Sequence, residues 1–129
     1  MTEFSTTDVT SLVDSYITMW NETDPARRVE LIERAWVPDA RYVDPLLEAD
    51  GHAALNEMVA TVHSHYPGHR FRRTSRVDAH HDGARFAWEL VAPDGTVTVG
   101  GLDAAVLADD GRFARITGFF GELQSDTAE

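Results

Sequence analysis

No cysteine occurs in the 129 residues of this chain. Disulfides, thiolate catalysis and cysteine-ligated zinc or iron–sulfur centres are therefore excluded. No apolar run approaches the roughly 20 residues that cross a bilayer. The opening Met1-Thr2-Glu3-Phe4-Ser5 also lacks the basic flank and apolar stretch of a signal peptide. These absences lead us to expect a cytoplasmic protein with no membrane partner. Basic residues are scarce, 11 against 22 acidic ones, which leaves a net charge of -11 that repels phosphate backbones. Nucleic acid is not an expected partner. The one arginine cluster, Arg70, Arg72, Arg73 and Arg76, lies in a strand-like segment whose alternation divides it between two faces. Linkers, internal repeats and low-complexity segments are missing too. The length suits a single domain, with an ordered core over about 7–124 and polar tails.

The first half has helical periodicity. Leu12, Tyr16 and Trp20 recur every four residues beside Val9, Val13 and Ile17, behind a cap at Thr7 or Asp8, and the pattern stops near Asn21. Asp24-Pro25 is an N-cap followed by proline at the first helical position. The helix it opens carries Val29, Leu31, Ile32, Ala35 and Trp36 and is expected to stop at Pro38. Ala40 to Val43 reads as a brief strand ended by Asp44-Pro45. Gly51-His52 opens a third helix with Leu55, Met58, Val59, Val62 and Tyr66, and Pro67-Gly68 ends it.

The period then changes to two. Phe71 to Ala79, Arg85 to Ala92, Thr96 to Leu107 and Phe113 to Leu123 are strand-like, separated by His81-Asp82-Gly83, Pro93-Asp94-Gly95 and Asp109-Asp110-Gly111. Asp-Gly between alternating runs signals a hairpin, so the expected order is α-α-β-α-β-β-β-β with a four-stranded meander. The fold class is α+β, a cone-like curved antiparallel sheet wrapped around three helices. Three short helices do not fill such a sheet, and the gap is a pocket. The outer face of the sheet needs cover, which points to a homodimer.

If Trp88 faces the helices, Phe86 and Leu90 share its face. Tyr42 and Asp44 share one on the first strand, and Ile116, Gly118 and Phe120 form one row of the last strand unless a bulge shifts it. Asp103 shares a face with Val99, Gly101, Ala105 and Leu107, an apolar set. A buried carboxylate must be neutralised, hydrogen-bonded or paired, and burial raises its pKa. Two carboxyl groups in one apolar pocket can divide the work, one as base and one as protonated donor. Asp44, Asp103 and Tyr16 are the candidate catalytic residues. The expected pocket wall is Trp20, Trp36, Tyr42, Met58, Val62, His63, Phe71, Phe86, Trp88, Leu90, Ile116 and Phe120. It suits a small apolar or aromatic molecule with one or two oxygens. Each candidate also has a structural reading: Asp103 as buried glue, Asp44 as a turn residue before proline, Tyr16 as plain core. The six histidines do not make metal-ligand spacing; His63 and His65 diverge on a helix, as do His80 and His81 in a hairpin. No metal or cofactor is expected.

From Leu12 to Glu122 the chain resembles the nuclear transport factor 2-like superfamily, in its SnoaL-like branch. The resemblance rests on Ala40-Arg41-Tyr42-Val43-Asp44-Pro45 with Gly51-His52, on the run Gly101 to Leu107, and on the closing Asp110 to Gly121. It implies a cone-like fold, a pocket between sheet and helices, and frequent dimerisation through the sheet. Tyr16, Asp44 and Asp103 look similar to the ketosteroid isomerase set of a helix tyrosine, an aspartate before proline and a protonated strand aspartate. By that resemblance Asp44 would move a proton next to a carbonyl, while Tyr16 and Asp103 donate to the enolate oxygen. Polyketide cyclases of the SnoaL type resemble the chain equally well and use a pocket aspartate without cofactor or metal. A non-catalytic ligand-binding or scaffold domain is the alternative function. An epoxide hydrolase on the same fold, with Arg73 or Arg115 completing an Asp-Arg-Asp set, is the third.

Overall fold

Helix passes into strand without a loop at Ala35–Trp36. The computed structural model, which describes residues 4–127, places α1 at Thr6–Asn21, α2 at Pro25–Ala35 and β1 at Trp36–Val43. Proline at 38 clashes with the carbonyl four residues back in a helix and drives the residue before it to extended backbone. The helix therefore ends before Trp36, three residues short of the expected stop at Pro38, and Trp36 belongs to a strand. Pro38 sits where β1 breaks register with its neighbour between Trp36 and Arg41, so no ladder bond needs its missing N–H. Ser5, not Thr7 or Asp8, caps α1 through its side chain on the Asp8 N–H. Asp24 caps α2 with Pro25 at the first position, as the sequence leads one to expect. The readings of the chain ends that concern residues 1–3 and 128–129 lie outside the described residues.

The remaining elements are β2 (Glu48–Asp50), α3 (His52–His65), β3 (Arg70–Arg73), β4 (Asp78–His80), β5 (Gly83–Val91), β6 (Val97–Leu107) and β7 (Phe113–Phe120). They form one curved, unclosed seven-stranded sheet in the order β2-β1-β7-β6-β5-β3, with β4 also on β5. Four points differ from expectation. β1 runs parallel to β7, so the sheet is mixed rather than antiparallel. Hairpin signals report only sequential neighbours, and this pair is joined by most of the chain. β2 is a three-residue edge strand, too short to show a period, held by Arg41 against Glu48 and Asp50 at 3.0 and 2.8 Å. The long strand expected over Phe71 to Ala79 splits into β3 and β4, where the Ser75 hydroxyl stands in for a carbonyl and accepts the Ala87 N–H at 2.8 Å. The last strand ends at Phe120 rather than Leu123.

The concave face packs Phe86, Trp88, Leu90, Ala105, Leu107 and Ile116 against Val9, Val13, Tyr16, Met19 and Trp20 of α1. A register shift between Val106 and Leu107 lets both Phe113 and Ile116 point inward on β7. The convex face leaves a row including Phe119, 54% exposed, and Val106 uncovered.

Arg28 is 1% exposed, with no carboxylate partner among the described salt bridges. Its Nε and Nη2 donate to the Glu22 carbonyl at 3.0 and 2.8 Å, and its Nη1 donates to Asn56 Oδ1 at 2.7 Å, tying the end of α1 to α2 and α3. Arg28→Ala removes these charge-assisted bonds and strands a carbonyl. It is expected to lower stability by about 2–4 kcal/mol in urea unfolding.

Candidate active site

The register of three strands builds the site. Phe86 of β5 stands beside Asp103 of β6, and Asp103 beside Gly118 of β7. Inward alternation on a curved sheet buries Asp103 to 2% exposure. One turn-facing position of α1 brings Tyr16 over it, and the Tyr16 hydroxyl donates to Asp103 Oδ2 at 2.7 Å. Trp88 Nε1 donates to Asp103 Oδ1 at 2.9 Å. Across Gly118 lies a second tyrosine–aspartate pair, in which the Tyr42 hydroxyl donates to Asp44 Oδ2 at 2.6 Å. The loop after β1 turns back on Asp44, whose Oδ1 accepts the N–H groups of Leu46 and Leu47, each at 2.8 Å. Asp44 is thus both the turn residue and a member of the site.

Gly118 allows the two pairs to meet. A Cβ there would lie 2.9 Å from Asp103 Oδ1, 3.2 Å from the Asp44 Cβ and 3.3 Å from the Tyr42 hydroxyl. Gly118→Ala therefore has to push the carboxyl groups apart. The expected loss is about 1–3 kcal/mol of stability by denaturant titration, with a larger relative loss of any activity that needs both acids.

Burial, the largest influence, raises the Asp103 carboxyl from its ordinary 3.8 to about 7; the bonds from Tyr16 and Trp88 oppose the rise and the nearby Asp44 charge adds to it. Burial, then the Asp103 charge, pushes the Tyr16 hydroxyl well above its ordinary value. The same two causes, with Asp44, raise Tyr42 strongly. Both tyrosines are hydrogen-bond donors at neutral pH, while burial lets Asp103 hold its proton well above the ordinary carboxylate range.

These groups line a cavity of about 200 Å³. Of the residues expected in its wall, Trp20, Tyr42, Val62, Phe71, Trp88, Leu90 and Phe120 are there, together with Tyr16, Asp44 and Asp103. Trp36, Met58, Phe86 and Ile116 are not. They lie beneath the wall as buried core, because the helices seat directly on that end of the sheet. His63 is also absent from the wall; its Nε2 meets the Trp20 carbonyl at 2.6 Å and closes the end of α1. The sequence reading missed Ile17, Leu46, Leu47, Tyr66 and Val99. Ile17 and Val99 were readable in principle, one residue from Tyr16 and on the Asp103 face. Leu46 and Leu47 belong to a loop, where no periodicity speaks. Arg73 does not reach the cavity but pairs with Asp14 at 2.9 Å, and Arg115 is exposed. Among the described residues no three His, Asp or Glu cluster as metal ligands would.

No protein-family model matches the sequence, and no curated protein gives a significant match. Solved structures do match. A proposed isomerase of the SnoaL-like family from Agrobacterium tumefaciens is 34% identical, over 90% of this chain and 99% of that one, with a TM-score of 0.86. The chain belongs to the SnoaL-like family. Looser relatives of this SnoaL-like protein share the fold alone. A proposed polyketide cyclase from Sinorhizobium meliloti is 16% identical over 89% of this chain and 99% of that one, TM-score 0.68. An NTF2-like protein of unknown function from Exiguobacterium is 19% identical over 87% and 99%, TM-score 0.68.

Proposed function

We propose that this SnoaL-like protein is a cofactor-independent acid–base isomerase acting on a neutral, single-ring carbonyl compound. The observation that carries the reading is the pair of carboxyl groups facing one apolar cavity, one of them desolvated to a pKa of about 7. Asp44 takes a proton from the carbon next to the carbonyl and returns it elsewhere on the same skeleton. Tyr16, backed by Asp103, donates to the carbonyl oxygen as negative charge develops there.

Size and charge narrow the substrate. A cavity of about 200 Å³ is below the roughly 300–1,000 Å³ of drug-sized sites and near the roughly 150 Å³ that accepts benzene. One ring with a short arm fits within that volume. Among the described residues the wall holds no Lys, Arg or His, so none of them neutralises a carboxylate or phosphate on the ligand. That wall also speaks against epoxide opening, which needs a guanidinium beside the acids. A second copy of the chain, docked on the uncovered convex face, remains the partner we propose.

The test is hydrogen exchange in deuterated water, read by proton NMR, on cyclohexanone, acetophenone and 3-cyclohexen-1-one. Exchange next to the carbonyl should exceed that with Asp44→Asn by at least 10²-fold. Equal rates with both proteins on all three ketones would overturn the reading. A second reading, a non-catalytic binding pocket, is favoured by one observation: both acids are already satisfied by wall donors and no buried side-chain polar atom lacks a partner among the described residues. Saturable ketone binding without exchange would select it.

A further inference from the structure

Trp88 combines an apolar body with a polar function that its place in the cavity wall conceals. Its indole lies across from Gly101, its cross-strand partner. Gly101 has no side chain, and a Cβ there would come within 2.6 Å of the ring. Phe71 and Phe120 hold the indole edge-on from either side, with centroids at 5.8 and 5.9 Å. The ring is therefore fixed in the one orientation that aims Nε1 at Asp103 Oδ1, 2.9 Å away.

An indole N–H donates and never accepts, whereas a phenol does both. The two oxygens of Asp103 thus have unlike neighbours. A proton on Oδ1 would crowd against the hydrogen of the indole. A proton on Oδ2 meets the Tyr16 oxygen at 2.7 Å, which can accept it. Once Tyr16 accepts, its own hydrogen has to turn elsewhere, and Tyr16 lines the cavity.

We propose that Trp88 is a positioning residue that sets the direction of the Tyr16–Asp103 hydrogen bond, placing the acid proton on Oδ2 so that the Tyr16 hydroxyl hydrogen is delivered to the ligand's oxygen. The inference rests on the acid–base reading of this site and specifies which group touches the substrate. Protonated Asp103 points Tyr16 into the cavity, and ionised Asp103 turns it back. The groups facing Asp103 are Tyr16 from α1, Tyr42 from β1, Asp44 from the loop after it, Trp88 from β5 and Gly118 from β7. Asp44 is the charged one among them, so the switch follows the Asp103 proton and is biased by Asp44.

Two measurements test this. In the wild-type protein labelled with nitrogen-15, the Trp88 indole resonance is followed across pH 5–9 beside the carboxyl carbon of Asp103. Both should move together with one midpoint, because the bond to Oδ1 weakens when the carboxyl is neutralised. In parallel, the infrared carbonyl stretch of bound acetophenone should lie lower at pH 5 than at pH 9 in the wild type. Trp88→Phe, which keeps an aromatic body, should tighten proton binding to Asp103 by about tenfold and shrink that pH-dependent carbonyl shift at least by half. An indole resonance indifferent to the Asp103 titration, or an unchanged carbonyl shift in Trp88→Phe, would overturn the role of Trp88 and leave the acid–base reading standing. An Asp103 that titrates in the ordinary carboxylate range would instead remove the reading itself. The wild-type arm decides the question even if the variant does not fold.

Discussion

Asp44→Asn should slow ketone hydrogen exchange by roughly 10²–10⁴-fold while leaving the fold intact. The substitution preserves shape. An asparagine carbonyl oxygen at the Oδ1 place still accepts the Leu46 and Leu47 N–H groups, now 2.8 Å from the carboxylate, so the turn after β1 survives. The amide nitrogen takes the Oδ2 place, and the Tyr42 oxygen, 2.6 Å away, can reverse from donor to acceptor. What disappears is the base. Because hydrogen bonding is conserved, the thermal midpoint is expected to stay within a few degrees of the wild type. A rate within threefold of wild type would show that Asp44 is a turn residue only. A collapsed fold would show that the loop depends on its charge.

Asp103→Asn is expected to make the protein more stable at high pH, which is unusual for a substitution in a core. The folded state holds the Asp103 proton up to about pH 7, whereas the unfolded chain releases it near 3.8. Between those values the folded state binds more protons than the unfolded one, so stability falls as pH rises through the window and stays low above it. The full span corresponds to at most about 4 kcal/mol. Asparagine does not titrate. Its carbonyl oxygen can keep the bond from Trp88 and its amide can donate to the Tyr16 oxygen. The difference in unfolding free energy between variant and wild type should therefore move in favour of the variant between pH 4 and pH 8, by up to that amount. Other titrating groups are common to both proteins and cancel. Urea titrations at four or five pH values measure it, and a difference that does not change with pH would contradict burial as the cause of the raised value.

The two acids show how function and stability oppose one another here. A carboxyl group with a pKa near neutrality is useful because it gives and takes a proton at little cost, and it reaches that state only by desolvation. The same desolvation weakens the fold above pH 7. Tyr16 and Trp88 limit the penalty by donating to the ionised form, and Gly118 keeps the second acid close enough to raise it again.

What the sequence determined by itself was everything local or periodic. Every-fourth apolar spacing placed α1 and the inward face of Tyr16. Proline rules marked the start of α2 and the end of helix before Pro38. Asp-Gly turns set the antiparallel meander, and period-two alternation placed Trp88 and Asp103 inward. Only the tertiary structure decided the rest, since it depends on contacts between distant residues. The parallel β1–β7 pairing and the meeting of Tyr42–Asp44 with Tyr16–Asp103 across Gly118 join segments tens of residues apart, and the aim of the Trp88 N–H depends on the side chains packed around its ring. The wall of the cavity divided in the same way. Trp36, Met58, Phe86 and Ile116 are as apolar as their neighbours, and a hydrophobic side chain does not encode whether a helix or a void will stand in front of it. Close packing settles that only once the whole sheet has curved.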